Sequence, residues 1–396
     1  MSRLAELIEE LCPDGVEYRP LGELLAYQQP TPFLVSSKDY DPSYPTPVLT
    51  AGATFLLGYS SETHGVYPAS TDDPVIIFDD FTTASKWVDF PFKLKSSAAK
   101  ILTAADSNVA DIRFLYFLMQ TLNYQVGSHA RHWIAVYSKM PVCCPPLEVQ
   151  REIVRILDQF TTLEAELEAE LEARRGQYEY YRNHLLSYES LAARGPVEIV
   201  KLGDVAIRVV TGVTPQASNV RYYEGGANPW IRTQDVNFNR ISVASEFVTD
   251  AAIDELPLKW VKANSVIVAI SGASAGRSAI LGIDAVTNQH CCNLEIDSKR
   301  ADYRYVYYSI AARYNELRSL GRGARGDLNV SIIKSFEIPL PLVEQQSAVA
   351  DLLDHFDALV NDISSGLPAE IAARRAQYEH YRDRLLSFPE KAVSGS

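Results

Sequence analysis

The chain has 396 residues, 47% of them apolar and 22% charged, with a net charge of −13 at pH 7, which fits a folded protein of two domains and something more. No run of eighteen apolar residues occurs, so no helical membrane span is expected. Five cysteines, Cys12, Cys143, Cys144, Cys291 and Cys292, include no CxxC pair, so they are read as buried thiols rather than as a disulfide framework or a zinc site.

In chain order, residues 3–11 (RLAELIEEL) form an acidic amphipathic helix without the basic start of a signal peptide, and a cytoplasmic protein is expected. Residues 16–145 read as a domain of short strands and turns, with a buried strand at Pro74–Phe78 and a helix at Arg113–Leu122. Residues 147–188 form a long helix. Its apolar stripe runs through Ile153, Leu157, Phe160, Leu163 and on to Tyr178, Tyr181 and Leu185 beside a Glu-rich face. At 1.5 Å per residue such a helix is about 60 Å long and needs an equally long partner. Residues 197–340 read as a second domain, with a strand at Ser265–Ile270 and a helix at Tyr303–Leu317. A second long helix follows, its stripe including Val349, Leu352, Phe356, Leu359, Tyr378 and Tyr381, and the segment Ser364–Pro368 predicts a kink.

The two halves are copies. Residues 173–187 and 373–387 are identical at eleven of fifteen positions, at a shift of 200. Leu157-Asp158-Gln159-Phe160 pairs with Leu353-Asp354-His355-Phe356, and Pro145 and Glu148 with Pro341 and Glu344, at a shift of 196. Asp111-x-Arg113 pairs with Asp302-x-Arg304 at 191, and Val16-Glu17 with Leu21-Gly22 pairs with Val197-Glu198 and Leu202-Gly203 at 181. The interiors, 28–74 and 208–265, do not align. The expected organisation is residues 1–15 an N-terminal helix, 16–145 and 197–340 the domains, 146–196 and 341–396 the helical spacers. The fold class is α+β: two α/β domains separated by two long antiparallel, coiled-coil-like helices, related by a pseudo-two-fold. Leu4 aligns with Leu185, so the N-terminal helix is expected near the end of the second long helix.

The charge is unevenly spread: 146–196 and 341–396 carry −4 each, whereas 197–340 carries +1. Arg313, Arg318, Arg322, Arg325 and Lys334 form a locally basic stretch. Candidate DNA contacts are Arg221, Tyr222, Tyr223, Trp230, Arg232, Thr233 and Gln234, then Arg322, Arg325 and Lys334, with His129 and Arg131 in a comparable loop of the first domain. Each also reads as turn chemistry with surface arginines. No nucleotide loop and no Asn-Pro-Pro-aromatic or Asp-Pro-Pro-aromatic methyltransferase tetrapeptide is present. Ser271–Gly276 reads as a turn. Asp72, Asp73, Asp79 and Asp80 with Lys86 imitate a nuclease cluster but are explained as acidic loop ends. No catalytic residue and no metal ligand set is assigned. A repeat scaffold bridging two copies of a protein partner without touching DNA, or an enzyme with an unrecognised site, remains open on these residues alone.

Ordered motifs along the chain resemble the specificity subunit of type I restriction-modification systems. They are Cys12-Pro-Asp-Gly-Val-Glu-Tyr-x-Pro-Leu-Gly-Glu23, Lys201-Leu-Gly-Asp204, Thr211-Gly-x-Thr-Pro215 and Tyr222-Tyr-x-Gly-Gly226. Pro229-Trp-Ile231, Ile338-Pro-Leu-Pro-Leu-x-Glu-Gln345 and the two Arg-Arg-x-Gln-Tyr-x-x-Tyr-Arg segments complete the set. One departure is Pro145-Pro-Leu-Glu-Val-Gln150, which lacks the Glu-Gln pair. The resemblance implies two target recognition domains, each reading half of a split double-stranded DNA sequence. It also implies helices that set the spacing and dock two methyltransferase subunits through residues such as Arg174, Tyr178, Tyr181, Arg374, Tyr378 and Tyr381. It implies restriction subunits as further partners, with S-adenosylmethionine, ATP and Mg held by partner subunits and no cofactor in this non-catalytic chain.

Overall fold

The computed structural model describes residues 3–391 apart from 53, 125, 127–129, 323–325 and 362–365. The first copy begins with α1 (Arg3–Leu11), β1 (Glu17–Pro20), the single-turn α2 (Leu21–Leu24) and β2 (Leu25–Gln28). Then follow β3 (Thr46–Leu49), β4 (Leu56–Ser60), β5 (Val75–Asp79), β6 (Ser85–Val88), β7 (Lys93–Leu94) and β8 (Ala99–Ala104). The copy closes with α3 (Ile112–Thr121), β9 (Pro141–Cys144) and the 39-residue α4 (Leu147–Leu185). The second copy opens with α5 (Tyr188–Ala192), β10 (Val197–Lys201), α6 (Leu202–Val205) and β11 (Ala206–Thr211). It continues with β12 (Asn228–Ile231), β13 (Arg240–Ile241), β14 (Glu246–Val248), α7 (Asp250–Glu255), β15 (Val266–Ala269), β16 (Ser278–Leu281), β17 (Val286–Thr287) and β18 (Cys291–Ile296). It ends with α8 (Tyr303–Ala312), α9 (Tyr314–Ser319), α10 (Val330–Ser335), β19 (Glu337–Pro341), α11 (Val343–Asn361) and α12 (Gly366–Leu385).

The chain divides into two compact units, Met1–Leu167 with Ile371–Ser396, and Glu168–Glu370. The division cuts across the long helices rather than beside them. Each globular part therefore includes helical residues in its own core: Ile153 and Leu157 in the first unit, Val349 and Leu353 in the second.

Within each unit the strand that opens the globular part pairs antiparallel with the strand that closes it. β1 lies on β9 with Glu17 opposite Cys144, and β10 lies on β19 with Val197 opposite Pro341. The repeated Leu-Gly pair follows directly. Leu21 and Leu202 are wholly buried, and their N–H groups donate to Met140 O at 3.0 Å and Phe336 O at 2.9 Å. The first unit has an antiparallel sheet in the order β2-β8-β5-β6 and a small sheet β4-β3-β7. The second has β11-β18-β15-β16-β13 and β14-β12-β17. Among the described residues three strand ladders are parallel, β3–β7, β12–β17 and β13–β16. The other ladders are antiparallel, as the short strands and tight turns suggest. Every side chain from Val266 to Ala269 is buried, so this strand has no polar face.

The helices differ from the sequence reading in three places. The helix expected over Tyr303–Leu317 breaks at Arg313, whose φ of −106° and ψ of 25° end α8. The first long helix stops at Leu185, and Ser187 caps α5 instead by accepting the Ser190 N–H. Leu163, Leu352 and Leu359, placed in the apolar stripes, are 36%, 42% and 48% exposed. The stripes are thus covered only in part, and Leu353 rather than Leu352 points inward. The segment expected to kink, Ser364–Pro368, lies in part outside the described residues. Gly366 starts α12 at φ +73°, where a Cβ would stand 2.6 Å from Leu359 O, so glycine is required there.

One buried glutamine fixes each globular part to its helix. Gln150 Oε1 accepts the Asp111 N–H at 2.8 Å, and its Nε2 donates to Pro145 O at 2.7 Å and Val109 O at 3.0 Å. Gln346 repeats this with the Asp302 N–H at 2.9 Å, Pro341 O at 2.8 Å and Arg300 O at 3.3 Å. Asp111 and Asp302 in turn cap α3 and α8 by accepting the N–H two residues on. The arginines of the same Asp-x-Arg motifs reach the helices: Arg113 meets Asp158 at 2.8 Å, and Arg304 bridges Asp302, Asp351 and Asp354. The departure at 145–150 thus leaves the anchor intact. Position 148–150 reads Glu-Val-Gln against Glu344-Gln345-Gln346, and the structural equivalent of Gln150 is Gln346.

The long helices pair antiparallel inside each unit. In the first, Phe160 stacks on Tyr381 at 5.7 Å and lies near Tyr378, while Glu164 pairs with Arg375. In the second, Tyr181 stacks on Phe356 at 6.4 Å. Tyr178 is buried beside Asp357, and burial pushes both the Tyr178 hydroxyl and the Asp357 carboxyl above their usual ranges. The repeated Leu-Asp-x-Phe motif therefore has three tasks: its Leu fills the core, its Asp holds the domain's arginine, and its Phe stacks on the tyrosine of the opposing helix. The N-terminal helix lies where the repeat alignment puts it. Leu4 shares a core with Leu386 and Phe388, and the Val16 N–H donates to Pro389 O at 2.9 Å.

Replacing Gln150 or Gln346 with Leu strands a buried N–H and a buried carbonyl. The expected cost is about 2–4 kcal/mol in the affected unit, read as a lower urea midpoint for that unit's transition with the other unchanged.

Candidate nucleic-acid interface

The sequence-derived candidates fall into separate environments. Trp230 is 3% exposed and its indole N–H donates to Val213 O at 3.2 Å, so it supports the small sheet from inside. Tyr223 packs edge-on against it at 5.9 Å and donates its hydroxyl to Pro215 O at 2.6 Å. Arg221 and Tyr222 both engage Glu255, the arginine at 2.7 Å and the hydroxyl at 3.2 Å. Arg232 pairs with Glu246 at 2.6 Å and lies 5.7 Å from the Trp230 ring. These residues form one cluster around β12, β14 and α7, with charges matched internally. Thr233 is half-buried and Gln234 exposed in the turn after β12. Lys334 is exposed on α10 and packs its side chain over Gly203. The Thr211-Gly212 pair has a steric origin, because a Cβ on Gly212 would overlap the Thr287 carbonyl.

The two basic loops are pinned in the same manner. In the first unit the His132 N–H donates to Asp80 O at 2.9 Å and the Trp133 N–H to Asp80 Oδ1 at 2.7 Å. Trp133 is buried, which sets the exposed Arg131 at the edge of the β5–β6 turn. In the second unit the Gly272 N–H donates to Asp327 Oδ1 at 3.1 Å and the Leu328 N–H to Ile270 O at 2.8 Å. Backbone bonds of 2.9 and 3.1 Å between Arg322 and Asp327 close this loop. His129 and Arg325, the other loop candidates, lie outside the described residues. Ser271–Gly276 is a turn, as read, with a 3-10 segment at Gly272–Ser274.

The acidic residues of the first domain have structural partners. Asp80 is 1% exposed and meets the equally buried Lys100 at 3.4 Å. Lys100 also contacts Gln29 Oε1 at 3.2 Å and lies 5.5 Å from the Tyr27 ring. Asp79 Oδ1 accepts the Phe81 and Thr82 N–H groups at 2.8 and 3.1 Å, an Asx turn that shapes the hairpin. Among the described residues no three His, Cys, Asp or Glu side chains converge as a metal site. Cys12, Cys143, Cys291 and Cys292 are free and buried and Cys144 half-buried. Burial pushes the Cys143 and Cys292 thiols up to about 12. No helix among the described residues is long and apolar enough to cross a membrane.

On the spacer helices, Arg174 is exposed and pairs with Glu170 at 3.3 Å, whereas Tyr178 is buried and Tyr378 half-buried. Tyr181 and Tyr381 are 45% and 39% exposed after stacking on phenylalanine, and Arg374 is half-buried beside Gln377.

A model for the type I restriction modification DNA specificity domain matches residues 13–173 and again residues 195–373. The chain belongs to the type I restriction-modification DNA specificity family. It is 41% identical over 405 residues to the specificity subunit of an Escherichia coli type I restriction enzyme, covering 98% of each chain. It is 28% identical to a putative type I restriction enzyme specificity subunit of Haemophilus influenzae, over 70% of this chain and 72% of that one. The crystal structure of a type I system S subunit from M. genitalium shares the fold, with a TM-score of 0.59 at 12% identity over 94% of this chain and 96% of that one. The duplication is thus a tandem of two DNA specificity domains, and the family assignment sets aside the scaffold without DNA.

Changing Asp80 to Ala in the first specificity domain leaves the Lys100 ammonium buried without its counter-charge. The expected loss is about 3–5 kcal/mol, together with faster proteolysis at 130–136. Unchanged stability and cleavage would show that the pair does not hold the loop.

Proposed function

We propose that each specificity domain reads one half of a bipartite double-stranded DNA target and that the paired helices fix the distance between the half-sites. The observation that carries this reading is the repeated anchor. A buried glutamine and an Arg–Asp bridge join each domain to its helix, so a helix that moves takes its domain with it. Half-sites about one helical turn apart, on the order of 34 Å, suit such a device. Arginine and lysine contacts to phosphate would position each domain and side chains at base edges would choose the sequence. Among the candidates, Arg131, Gln234, Arg322 and Lys334 are the most available, because Arg221, Tyr222 and Arg232 already hold glutamates and Trp230 is buried.

The exposed Tyr181, Tyr381, Leu352 and Leu359 on the helices support docking of two modification subunits there. Those subunits, and restriction subunits beyond them, would hold S-adenosylmethionine, ATP and Mg, and would methylate an adenine taken out of the stack. This chain would be non-catalytic by itself and would act in the cytoplasm. The structural engagement of Asp79 and Asp80 is consistent with that, since it removes the most nuclease-like cluster.

Footprinting of the chain together with its methyltransferase partner is expected to give two protected patches with an unprotected gap. A continuous footprint, or none, would sink the proposal. Inserting four residues beside Gly366–Pro368 is expected to change the accepted gap and leave both half-site sequences as they were.

A further inference from the structure

We propose that the second domain reads bases with the end of its five-stranded sheet at the β15–β16 hairpin, where Arg277 and Arg318 are the base-edge donors. The proposal rests on the DNA-reading function above and deepens it. Arg208, Arg221, Arg232, Arg304 and Arg313 each meet a carboxylate within 2.8 Å. Their charge is cancelled locally and their geometry is fixed by the protein. Among the described residues Arg277 and Arg318 meet no carboxylate. Both are held by neutral groups instead: Arg277 Nη1 donates to Asn237 Oδ1 at 2.8 Å, and Arg318 Nη1 to the Tyr314 hydroxyl at 2.7 Å. An arginine oriented by a neutral acceptor keeps its full charge and most of its donor fork. That is the state needed for a bidentate contact to guanine O6 and N7.

The surroundings match. The Tyr314 ring carries the Arg318 guanidinium at 5.7 Å on one side and meets Phe238 edge-on at 5.2 Å. Phe238 has a φ of +54°, a conformation that bulky residues rarely adopt, and is fixed by its N–H to Ser278 O at 2.8 Å. Such a conformation persists only where the surrounding structure holds it, and it is found most often at functional sites. Asn237 and Asn239 flank it, both exposed. Where β18 starts, the exposed Gln289 and His290 follow the buried Asn288, whose Oδ1 accepts the His290 N–H at 3.0 Å. The Ile270 N–H donates to His290 O at 2.9 Å, so this loop and the hairpin are neighbours. Arg322 arrives through the loop pinned to Gly272. Asn and Gln side chains of this type suit adenine, as Arg suits guanine. A crevice of about 710 Å³, lined in part by Asn237, Phe238, Asn239 and Tyr314, opens beside them.

The opposite end of the sheet also holds one arginine on a neutral acceptor, Arg240 on Asn264 Oδ1 at 2.8 Å, but its surroundings are more acidic. Its cavity of about 820 Å³ is lined by Lys262, Glu295, Asp302, Arg304 and Asp354 among others. Lys262 is paired there with Asp284. Cations at that end are mostly neutralised, and three carboxylates line its cavity against two, Glu179 and Asp357, in the crevice.

The test reads adenine methylation across the genome of the cell that makes the chain, with the full chain replaced by variants of normal abundance. Arg277→Ala and Arg318→Ala are expected to lower methylation of the native motif roughly ten- to a hundred-fold, with one or two positions relaxed in one half of the motif and the other half unchanged. An unaltered motif in both variants, or relaxation seen only with Arg221→Ala and Arg232→Ala, overturns the proposal. If Arg277→Ala abolishes methylation altogether, Arg277→Lys decides. A motif relaxed in one half supports base reading, whereas an unaltered motif or continued loss overturns it. Deleting the chain and finding a bipartite methylated motif still in place would sink the functional reading itself, and this proposal with it.

Discussion

The amide of a buried glutamine controls how each domain meets its helix. Gln150 and Gln346 are completely enclosed and each spends both ends of its amide on backbone. One end takes the N–H of an aspartate that caps the domain's own helix, and the other gives to the carbonyl of the last strand residue or the proline after it. Three chain segments are therefore tied at one point inside an apolar shell, where an unmet donor costs more than at the surface. Both the orientation of the domain and the start of the long helix depend on that point.

The second tier of the joint is electrostatic, and the two copies differ in it. The first unit uses a single Arg113–Asp158 pair, while Arg304 collects three aspartates. The opposing hydrogen bonds hold the Asp302 carboxyl below its usual range despite its burial. Asp357, buried beside Tyr178, has Thr161 as its counterpart in the first copy. The common motif residues make the geometry, and the residues between them set how firmly each half is held.

Much of this was legible because the identities between the copies fall on the residues that do the joining. Leu-Asp-x-Phe, Asp-x-Arg and the Tyr-bearing helix segment were visible as repeats before their contacts were known. The strands over 74–78 and 265–270 were legible because a wholly buried strand is a short apolar run between turns. The exposure of Leu163, Leu352 and Leu359 was not, since a stripe of leucines does not say how wide its partner is. Site residues were the least legible. Arg208 is neutralised by Glu295 and Arg232 by Glu246 only after folding brings them together. A tryptophan beside arginines looks like a contact surface until its indole is found inside a sheet. Arg277 carried no signal at all, because its distinction is to be held by Asn237 rather than by a carboxylate.

The meeting of residues 15–18 with 386–391 gives the two units different weak points. In the second unit the corresponding stretch, from Leu185 through α5 to β10, is continuous chain. In the first, the same seam is held by the Val16 N–H to Pro389 O and the Lys391 N–H to Val16 O, both at 2.9 Å, and by Tyr18 reaching Phe388 O. Hydrogen bonds can part and re-form where a peptide bond cannot, so the first unit has a hinge line that the second does not. Local opening of the protein should start there, leaving the half with the unbroken seam folded.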